Sequence, residues 1–286
     1  MSIEITVAIP DTARVGEGPC WDPETGRLSW VDILSGTIHD DDPQTAVRSR
    51  IQLPPLVGAA VRKTSGGFVA ANAEGFADID RDGRWTQRAA FLPPGVRMND
   101  AKCDVSGRLW AGSCAMDFDE GRGALHVLRP DWTTETVIVG LTQPNGLDWS
   151  PDGSVFYLID TQARELTAGD VVPGRLAPED RRVLTRFPEA LGYPDGMTVD
   201  TEGYLWIAMW GGGRLLRVSP AGEIVSQVDL PVVQPSSCAF GGPDLDVLYV
   251  TTAREGLAPQ TCGPSGSVLA VAGLGVRGLP GRRFGG

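Results

Sequence analysis

One unit recurs six times along this chain: a turn rich in aspartate and glycine, followed by a short strand rich in aromatic and apolar residues. Aspartate and glycine supply the backbone angles of the turn, and the apolar residues suit a buried, pleated surface. Equivalent apolar positions in the six units are Trp30, Phe68, Trp110, Phe156, Trp206 and Leu248. Their spacings of 38, 42, 46, 50 and 42 residues indicate one supersecondary unit repeated along the chain.

A period of roughly 40–50 residues built from strands alone is typical of a β-propeller with four strands per blade. Six units fill the 286 residues. The pattern therefore predicts an all-β, six-bladed β-propeller that spans residues 1–286 as a single domain, with five or seven blades as the alternative.

Polar residues stand at matching offsets upstream of four of these apolar positions. Counting back eleven residues, or thirteen in the first unit, reaches Glu17, Asn99, Asn145 and Asp195. The same count of eleven gives Val57 and Ser237 in the second and sixth units. Equivalent positions on successive blades are related by rotation about the propeller axis. We therefore expect these side chains to converge on the central channel.

Two carboxylates and two amide carbonyls make a set of oxygen ligands whose charge matches a divalent cation. Glu17, Asn99, Asn145 and Asp195 are thus the predicted metal ligands. The alternative is structural, because Asn-Gly and Asp-Gly pairs are common in turns. An all-oxygen ligand set suits several hard ions, so the residues leave the identity of the metal open.

Other polar residues near this set are candidates for binding substrate. Arg97 lies two residues before Asn99, on the same face of an extended segment, and is predicted to hold a substrate hydroxyl or carboxylate. A structural ion pair is its alternative role. Asp100 either supports the metal ligands without binding the metal itself or is simply a turn residue. Asp119 and Glu120 lie in a loop flanked by glycine and are either substrate contacts or solvated surface.

Composition excludes several classes of protein. The net charge is -11 with no long basic run, which argues against binding nucleic acid. No signal peptide is visible and no apolar run reaches the roughly 18 residues of a membrane span. Five cysteines without CxxC spacing are typical of reduced thiols, so we expect a cytoplasmic protein. Two histidines are too few for a multi-histidine zinc site, and neither lies in a cluster that favours a catalytic triad.

Ordered motifs run from Gly16 almost to the end of the chain. They include GEGPCWDPETGRLSWVDI, RMNDAKCDVSGRLWAG, QPNGLDWSPDGSVFYLIDT and YPDGMTVDTEGYLWIAMWGGGR. In these motifs the chain resembles the regucalcin/gluconolactonase family, also called the senescence-marker family, to which luciferin-regenerating proteins are related. The resemblance implies a six-bladed propeller with one divalent metal, often calcium, zinc or manganese.

The resemblance also assigns roles to single residues. It implies metal ligation by Glu17, Asn145 and Asp195, with Asn99 as a ligand or a substrate holder. It further implies that Arg97 and Asn99 contact substrate. An acidic substrate contact falls on Asp119 or Glu120, where the loop length differs from the family pattern.

The activity expected from these features is hydrolysis of a sugar-derived lactone to its aldonic acid. In this reading Asp195 is the general base and no histidine is needed. One alternative is metal-dependent hydrolysis of a non-sugar ester, lactone or phosphotriester. The other is a calcium-binding propeller without turnover.

Overall fold

The computed structural model describes residues 2–258 and 262–286. In this part of the chain 24 strands form six four-stranded antiparallel sheets, and the single helical segment is the short turn Glu189–Leu191. The sheets are the blades of a propeller, which confirms the predicted all-β, six-bladed fold. None of the described residues forms a helix long and apolar enough to cross a membrane.

The first half of the chain contributes β1 (Glu4–Ile9), β2 (Gly16–Asp22), β3 (Arg27–Asp32), β4 (Thr37–Asp41), β5 (Arg48–Gln52), β6 (Ala59–Arg62), β7 (Phe68–Ala71), β8 (Gly75–Ile79), β9 (Trp85–Ala90), β10 (Val96–Cys103), β11 (Leu109–Ala115) and β12 (Gly123–Leu128). The second half contributes β13 (Thr134–Leu141), β14 (Pro144–Trp149), β15 (Val155–Asp160), β16 (Glu165–Asp170), β17 (Glu179–Arg186), β18 (Tyr193–Val199), β19 (Leu205–Trp210), β20 (Arg214–Val218), β21 (Ile224–Asp229), β22 (Pro235–Gly241), β23 (Val247–Thr252) and β24 (Val268–Ala272).

Blades 1 to 5 each consist of four consecutive strands, beginning with β2–β5 and ending with β18–β21. Blade 6 differs, because β22, β23 and β24 are joined by β1, with Glu4 opposite Ala272. The strand from the beginning of the chain therefore completes the last blade and closes the ring.

Burial falls from the axis outward within each blade. The inner strand β10 is buried at nearly every position, whereas the outer strand β13 is largely exposed. Aromatic side chains fill the space between adjacent blades. Between blades 3 and 4, Trp110 lies 5.7 Å from Trp149 and 5.2 Å from Phe156, measured between ring centroids. The aromatic residues of the repeat thus form the contacts that hold one blade against the next.

Residues 273–286 cross one face of the propeller after β24. The amide of Gly278 donates to the carbonyl of Leu245 in blade 6, and the amide of Phe284 donates to that of Arg62 in blade 2. The ring of Phe284 is fully buried. These contacts lie at the turns that follow the inner strands. Because the predicted ligands lie near the starts of inner strands, this terminal segment, defined as residues 273–286, covers the opposite end of the channel.

Candidate metal centre in the central channel

Each of the four predicted ligands lies at an irregularity in its inner strand. The pairing of the inner strand with its neighbour shifts by one residue between Glu17 and Cys20, Met98 and Ala101, Pro144 and Leu147, and Pro194 and Met197. A bulge of this kind turns a side chain out of the regular alternation. Equivalent bulges in four blades therefore present four polar side chains at the same level of the channel.

Asn145 and Asp195 meet directly across the boundary between blades 4 and 5. The Nδ2 of Asn145 donates to Oδ1 of Asp195 and, over 3.0 Å, to Oγ1 of Thr161. The other amide atom, Oδ1 of Asn145, is buried and has no hydrogen-bond partner among the described residues. An unpaired buried acceptor is costly, so this oxygen is suited to an external electropositive partner.

Asn99 differs from Asn145 in having both amide atoms engaged. Its Oδ1 accepts a hydrogen bond from Nη1 of Arg97 over 2.7 Å, and its Nδ2 donates to the carbonyl of Pro144 over 3.1 Å. The sequence left open whether Asn99 binds the metal or holds substrate. Oδ1 of Asn99 thus already accepts one hydrogen bond, whereas Oδ1 of Asn145 accepts none from the described residues, so Asn145 is the better candidate for a metal ligand.

The carboxylates of the cluster are buried, and the neighbouring charge of Arg97 offsets their burial only in part. Glu17 is 6% exposed and Asp195 is 5% exposed. Burial, followed by the charges of Asp195 and Asp100, raises the pKa of Glu17 well above its ordinary value. Burial and the charge of Asp100 likewise raise the pKa of Asp195, although the hydrogen bond from Asn145 and the charge of Arg97 partly oppose this. Burial raises the pKa of Asp100 to about 6.

These features fit a divalent cation. Two carboxylates raise each other's cost of ionisation, and a cation between them would remove that cost. Within residues 2–258 and 262–286, no group of three or more histidine, cysteine, aspartate and glutamate side chains is placed to hold a metal. A metal held by Glu17 and Asp195 would therefore need an amide as its third protein ligand. The donor set that fits is Glu17, Asp195 and the free oxygen of Asn145, all hard oxygen ligands.

Asp119 and Glu120 are not brought to this cluster. Both lie in the exposed loop between β11 and β12, where Oδ2 of Asp119 is 3.8 Å from Nη1 of Arg122. Among the described residues, neither forms a hydrogen bond or ion pair with Glu17 or Asp195. The loop leaves the end of β11, whose Cys114 pairs with Arg97, so it stands beside the same mouth of the channel. Substrate contact by either acid stays a prediction.

Thr161, which is buried beside Asn145, is marked by no pattern in the sequence. Lys102 also lies outside the predicted set, and its Nζ donates to Oδ2 of Asp148 over 2.7 Å and to the carbonyl of Met197 over 3.0 Å. Lys102 lines a cavity of about 70 Å³ that extends from Asp100 toward the terminal segment. One signal for Lys102 was available, since it is one of only two lysines in the chain and lies three residues after Asn99 on the inner strand.

Known proteins resemble this chain over nearly its full length. Residues 15–254 match the family described as SMP-30/Gluconolactonase/LRE-like region. Regucalcin from Danio rerio is 36% identical over 293 residues, which is 98% of this chain and 97% of the relative. Pentonolactonase XacC from Haloferax volcanii is 36% identical over 252 residues, covering 87% of this chain and 85% of the relative.

A solved structure extends the likeness to three dimensions. It is described as a calcium-binding protein, regucalcin, from Agrobacterium tumefaciens str. C58. It superposes with a TM-score of 0.91 at 27% identity, covering 97% of this chain and 96% of that one. Sequence and fold therefore agree on the same set of relatives.

Proposed function

The chain belongs to the SMP-30/gluconolactonase/LRE-like family, and from this premise we propose that it is a divalent-metal-dependent hydrolase that opens a sugar-derived lactone to its aldonic acid. Relatives named as lactonases support the reaction class, and one of them is the pentonolactonase at 36% identity. The proposed ligands are Glu17, Asn145 and Asp195, and the proposed substrate contacts are Arg97, Asn99, and Asp119 or Glu120.

One observation in particular supports a metal ion at this site. The buried Oδ1 of Asn145 has no hydrogen-bond partner in the described structure, and it lies beside the buried carboxylate of Asp195. An amide oxygen next to a carboxylate suits a hard cation such as Ca²⁺ or Mn²⁺, and Zn²⁺ also accepts oxygen ligands. The calcium-binding description of the solved relative agrees with this choice of ligand chemistry.

The proposed hydrolysis uses a bound cation and the carboxylate of Asp195 in separate roles. When bound, a divalent cation supplies a Lewis acid that polarises the lactone carbonyl and stabilises the developing negative charge. The oxygen of a water molecule adds to the carbonyl carbon while its proton passes to a carboxylate oxygen of Asp195. The bond from that carbon to the ring oxygen then breaks, protonated Asp195 returns its proton to the ring oxygen, and the open hydroxy acid is released.

Asp195 is suited to the role of proton acceptor. Its carboxylate is buried in the channel and accepts a hydrogen bond from Asn145, and a carboxylate can take a proton from a water molecule beside it. Arg97 and Asn99 are joined by a hydrogen bond, which leaves further N–H donors on Arg97 and the second lone pair of the Asn99 oxygen beside the same cluster. Such a pair orients hydroxyl groups of a sugar ring and places the carbonyl for attack.

Acid release from a panel of pentono- and hexonolactones, measured in a pH-stat, tests the proposal. The metal-free protein, prepared with a chelator, is assayed before and after addition of Ca²⁺, Mn²⁺ or Zn²⁺. We expect turnover that requires one of these ions and that is lost in Asp195→Asn under saturating metal. The absence of metal-dependent turnover on every lactone would overturn the proposed activity.

A second candidate function is calcium binding without turnover, which the description of the solved relative favours. The same variant distinguishes the two functions. If the parent protein binds Ca²⁺ but hydrolyses no lactone, the binding function is supported. If Asp195→Asn abolishes a measured turnover, the enzymatic function is supported.

A further inference from the structure

Three backbone carbonyls in the channel share one feature: each immediately precedes a proposed ligand and accepts a side-chain hydrogen bond from the neighbouring blade. The donors and acceptors are Ser236 to Gly16, Asn99 to Pro144, and Thr161 to Pro194. The residues that follow these carbonyls are Glu17, Asn145 and Asp195. Polar side chains therefore tie each ligand-bearing strand to the blade before it.

Thr161 stands out among the three donors because its hydroxyl makes two contacts with the site. Its Oγ1 donates to the carbonyl of Pro194 over 2.8 Å and accepts from Nδ2 of Asn145 over 3.0 Å. The hydroxyl proton is committed to Pro194, so the hydroxyl oxygen faces Asn145 as an acceptor. The amide of Asn145 must then turn its NH₂ group toward Thr161.

The opposite orientation of the amide is disfavoured for two reasons. It would place Oδ1 of Asn145 against the oxygen of Thr161, whose proton points elsewhere. It would also place Oδ1 against the carboxylate of Asp195, which accepts from Nδ2 in the structure. The two contacts together therefore leave Oδ1 free and directed away from both partners.

We propose that Thr161 is a positioning residue that fixes the amide of Asn145 with its oxygen toward a bound cation and, through Pro194, holds the backbone that carries Asp195. This inference rests on the proposed metal site. Thr161 is buried and joins two ligand strands without being a ligand itself. Groups behind metal ligands that orient them in this way typically contribute 10- to 100-fold to metal affinity.

Substitution by valine removes the hydroxyl and keeps the branched shape of the side chain. Thr161→Val would leave the carbonyl of Pro194 without its donor and free the amide of Asn145 to rotate. Thr161→Ser keeps both hydrogen bonds and serves as the conservative rescue. Thr167→Val is the matched control, because Thr167 lies in the same blade and its hydroxyl donates to the carbonyl of Leu158 over 3.1 Å.

The test is calorimetric titration of the metal-free protein with Ca²⁺, Mn²⁺ and Zn²⁺, each added alone. We expect Thr161→Val to weaken binding of the ion that the parent binds best by about 10- to 100-fold. Thr161→Ser and Thr167→Val should stay within about threefold of the parent. The thermal midpoint of each metal-free variant shows that it is folded, and Thr161→Ala replaces Thr161→Val if the latter does not fold.

Glu17→Gln, titrated in parallel, separates failure of this inference from failure of the proposed site. If Glu17→Gln loses affinity while Thr161→Val and Thr161→Ala bind as tightly as the parent, the positioning role is wrong and the metal site stands. If the parent binds none of the three ions, both are wrong. A loss in Thr161→Val that Thr161→Ser does not restore would also overturn the role of the hydroxyl.

Discussion

Arg97 donates a hydrogen bond from Nη1 to Oδ1 of Asn99 over 2.7 Å. The same nitrogen donates to the carbonyl of Met98 over 2.9 Å, so the guanidinium folds back over its own strand. As a result the acceptor of Asn99 is occupied, whereas that of Asn145 is free. Two asparagines that occupy equivalent places in the repeat are therefore predicted to take different roles.

The first prediction follows from this difference between the two amides. Asn145→Ala should weaken metal affinity by about tenfold or more, because an oxygen ligand is lost. Asn99→Ala should change it by less than about threefold. Glu17→Gln and Asp195→Asn should cost more than Asn145→Ala, because each removes a full charge from the site. Calorimetric titration of the metal-free proteins measures all four effects, and equal losses in the two asparagine variants would contradict the separation of roles.

Arg97 and Asn99 are predicted to act as one unit in substrate binding. Arg97→Ala should raise KM for the lactone and leave metal affinity nearly intact, because the guanidinium is not a ligand. Since Arg97 also holds the amide of Asn99, the double variant with Asn99→Ala should lose less than the sum of the two single losses. Steady-state kinetics of the parent, the two single variants and the double variant, all at saturating metal, provide this double-mutant cycle. Strict additivity in the logarithm of kcat/KM would show that the hydrogen bond has no role in catalysis.

The blade repeat was predictable because its signals are local. Each unit carries its own turn residues and strand residues, and the fixed period needs no knowledge of contacts. The common level of the four predicted ligand side chains in the channel was also predictable, since they stand at nearly matching offsets within the repeat. Metal ligation by these residues, and one domain over residues 1–286, stay predictions.

The structure corrects the apolar position from which residues were counted back to Glu17 in the first repeat unit. Leu28 pairs with a tryptophan of its inner strand as Phe156 does in blade 4, so Leu28, and not Trp30, is the counterpart of Phe156. Counted from Leu28, Glu17 lies eleven residues upstream, as Asn145 does from Phe156. The choice of the apolar position accounts for part of the offset of thirteen. Loop length also contributes, because the hairpin that joins Trp21 to Leu28 is one residue longer than the hairpin that joins Cys103 to Leu109 in blade 3.

Contacts between distant parts of the chain were beyond prediction from the sequence. Thr161 meets Asn145 and Pro194 across separations of 16 and 33 residues, and no local pattern marks it. The terminal segment likewise pairs with turns far away in sequence, such as Gly107 with Gly285. Only the closed ring brings these residues together, so their roles depend on the tertiary structure.

The raised pKa values of the buried carboxylates predict that metal affinity depends on pH. Glu17 and Asp195 hold protons above the ordinary carboxylate range when no cation is present. A cation must displace those protons, so affinity should rise with pH through that raised range, and binding should release protons. Titrations at several pH values in two buffers with different ionisation enthalpies measure the release.

Glu17→Gln provides the control, since it should release fewer protons and show a weaker dependence on pH. The folding stability of the metal-free protein should depend on pH in the opposite direction to metal affinity. Because the folded state binds more protons than the unfolded chain above about pH 4, the stability that these two groups contribute should fall as the pH rises. Equal metal affinity at pH 5.5 and pH 8 would contradict the assignment of these carboxylates as ligands.

The terminal segment is predicted to stabilise the propeller through Phe284. Its ring is fully buried against blades 2 and 3, and it lies 5.5 Å from the ring of Trp132 in an edge-on contact. The neighbouring Arg283 donates twice from Nη2 to Asp22 in blade 1, over 2.7 and 2.8 Å. Phe284→Ala leaves a cavity at this junction and should lower the free energy of unfolding by about 3–5 kcal/mol.

Urea denaturation of the metal-free protein measures the loss. Val105→Ala is the matched control, because Val105 lies in a turn on the same face and is 80% exposed, and its effect should stay within about 0.5 kcal/mol. Metal affinity of Phe284→Ala should equal that of the parent, since the ring lies at the end of the channel opposite Asp195. A loss of stability below about 1 kcal/mol would mean that the segment rests on the propeller without holding its blades together.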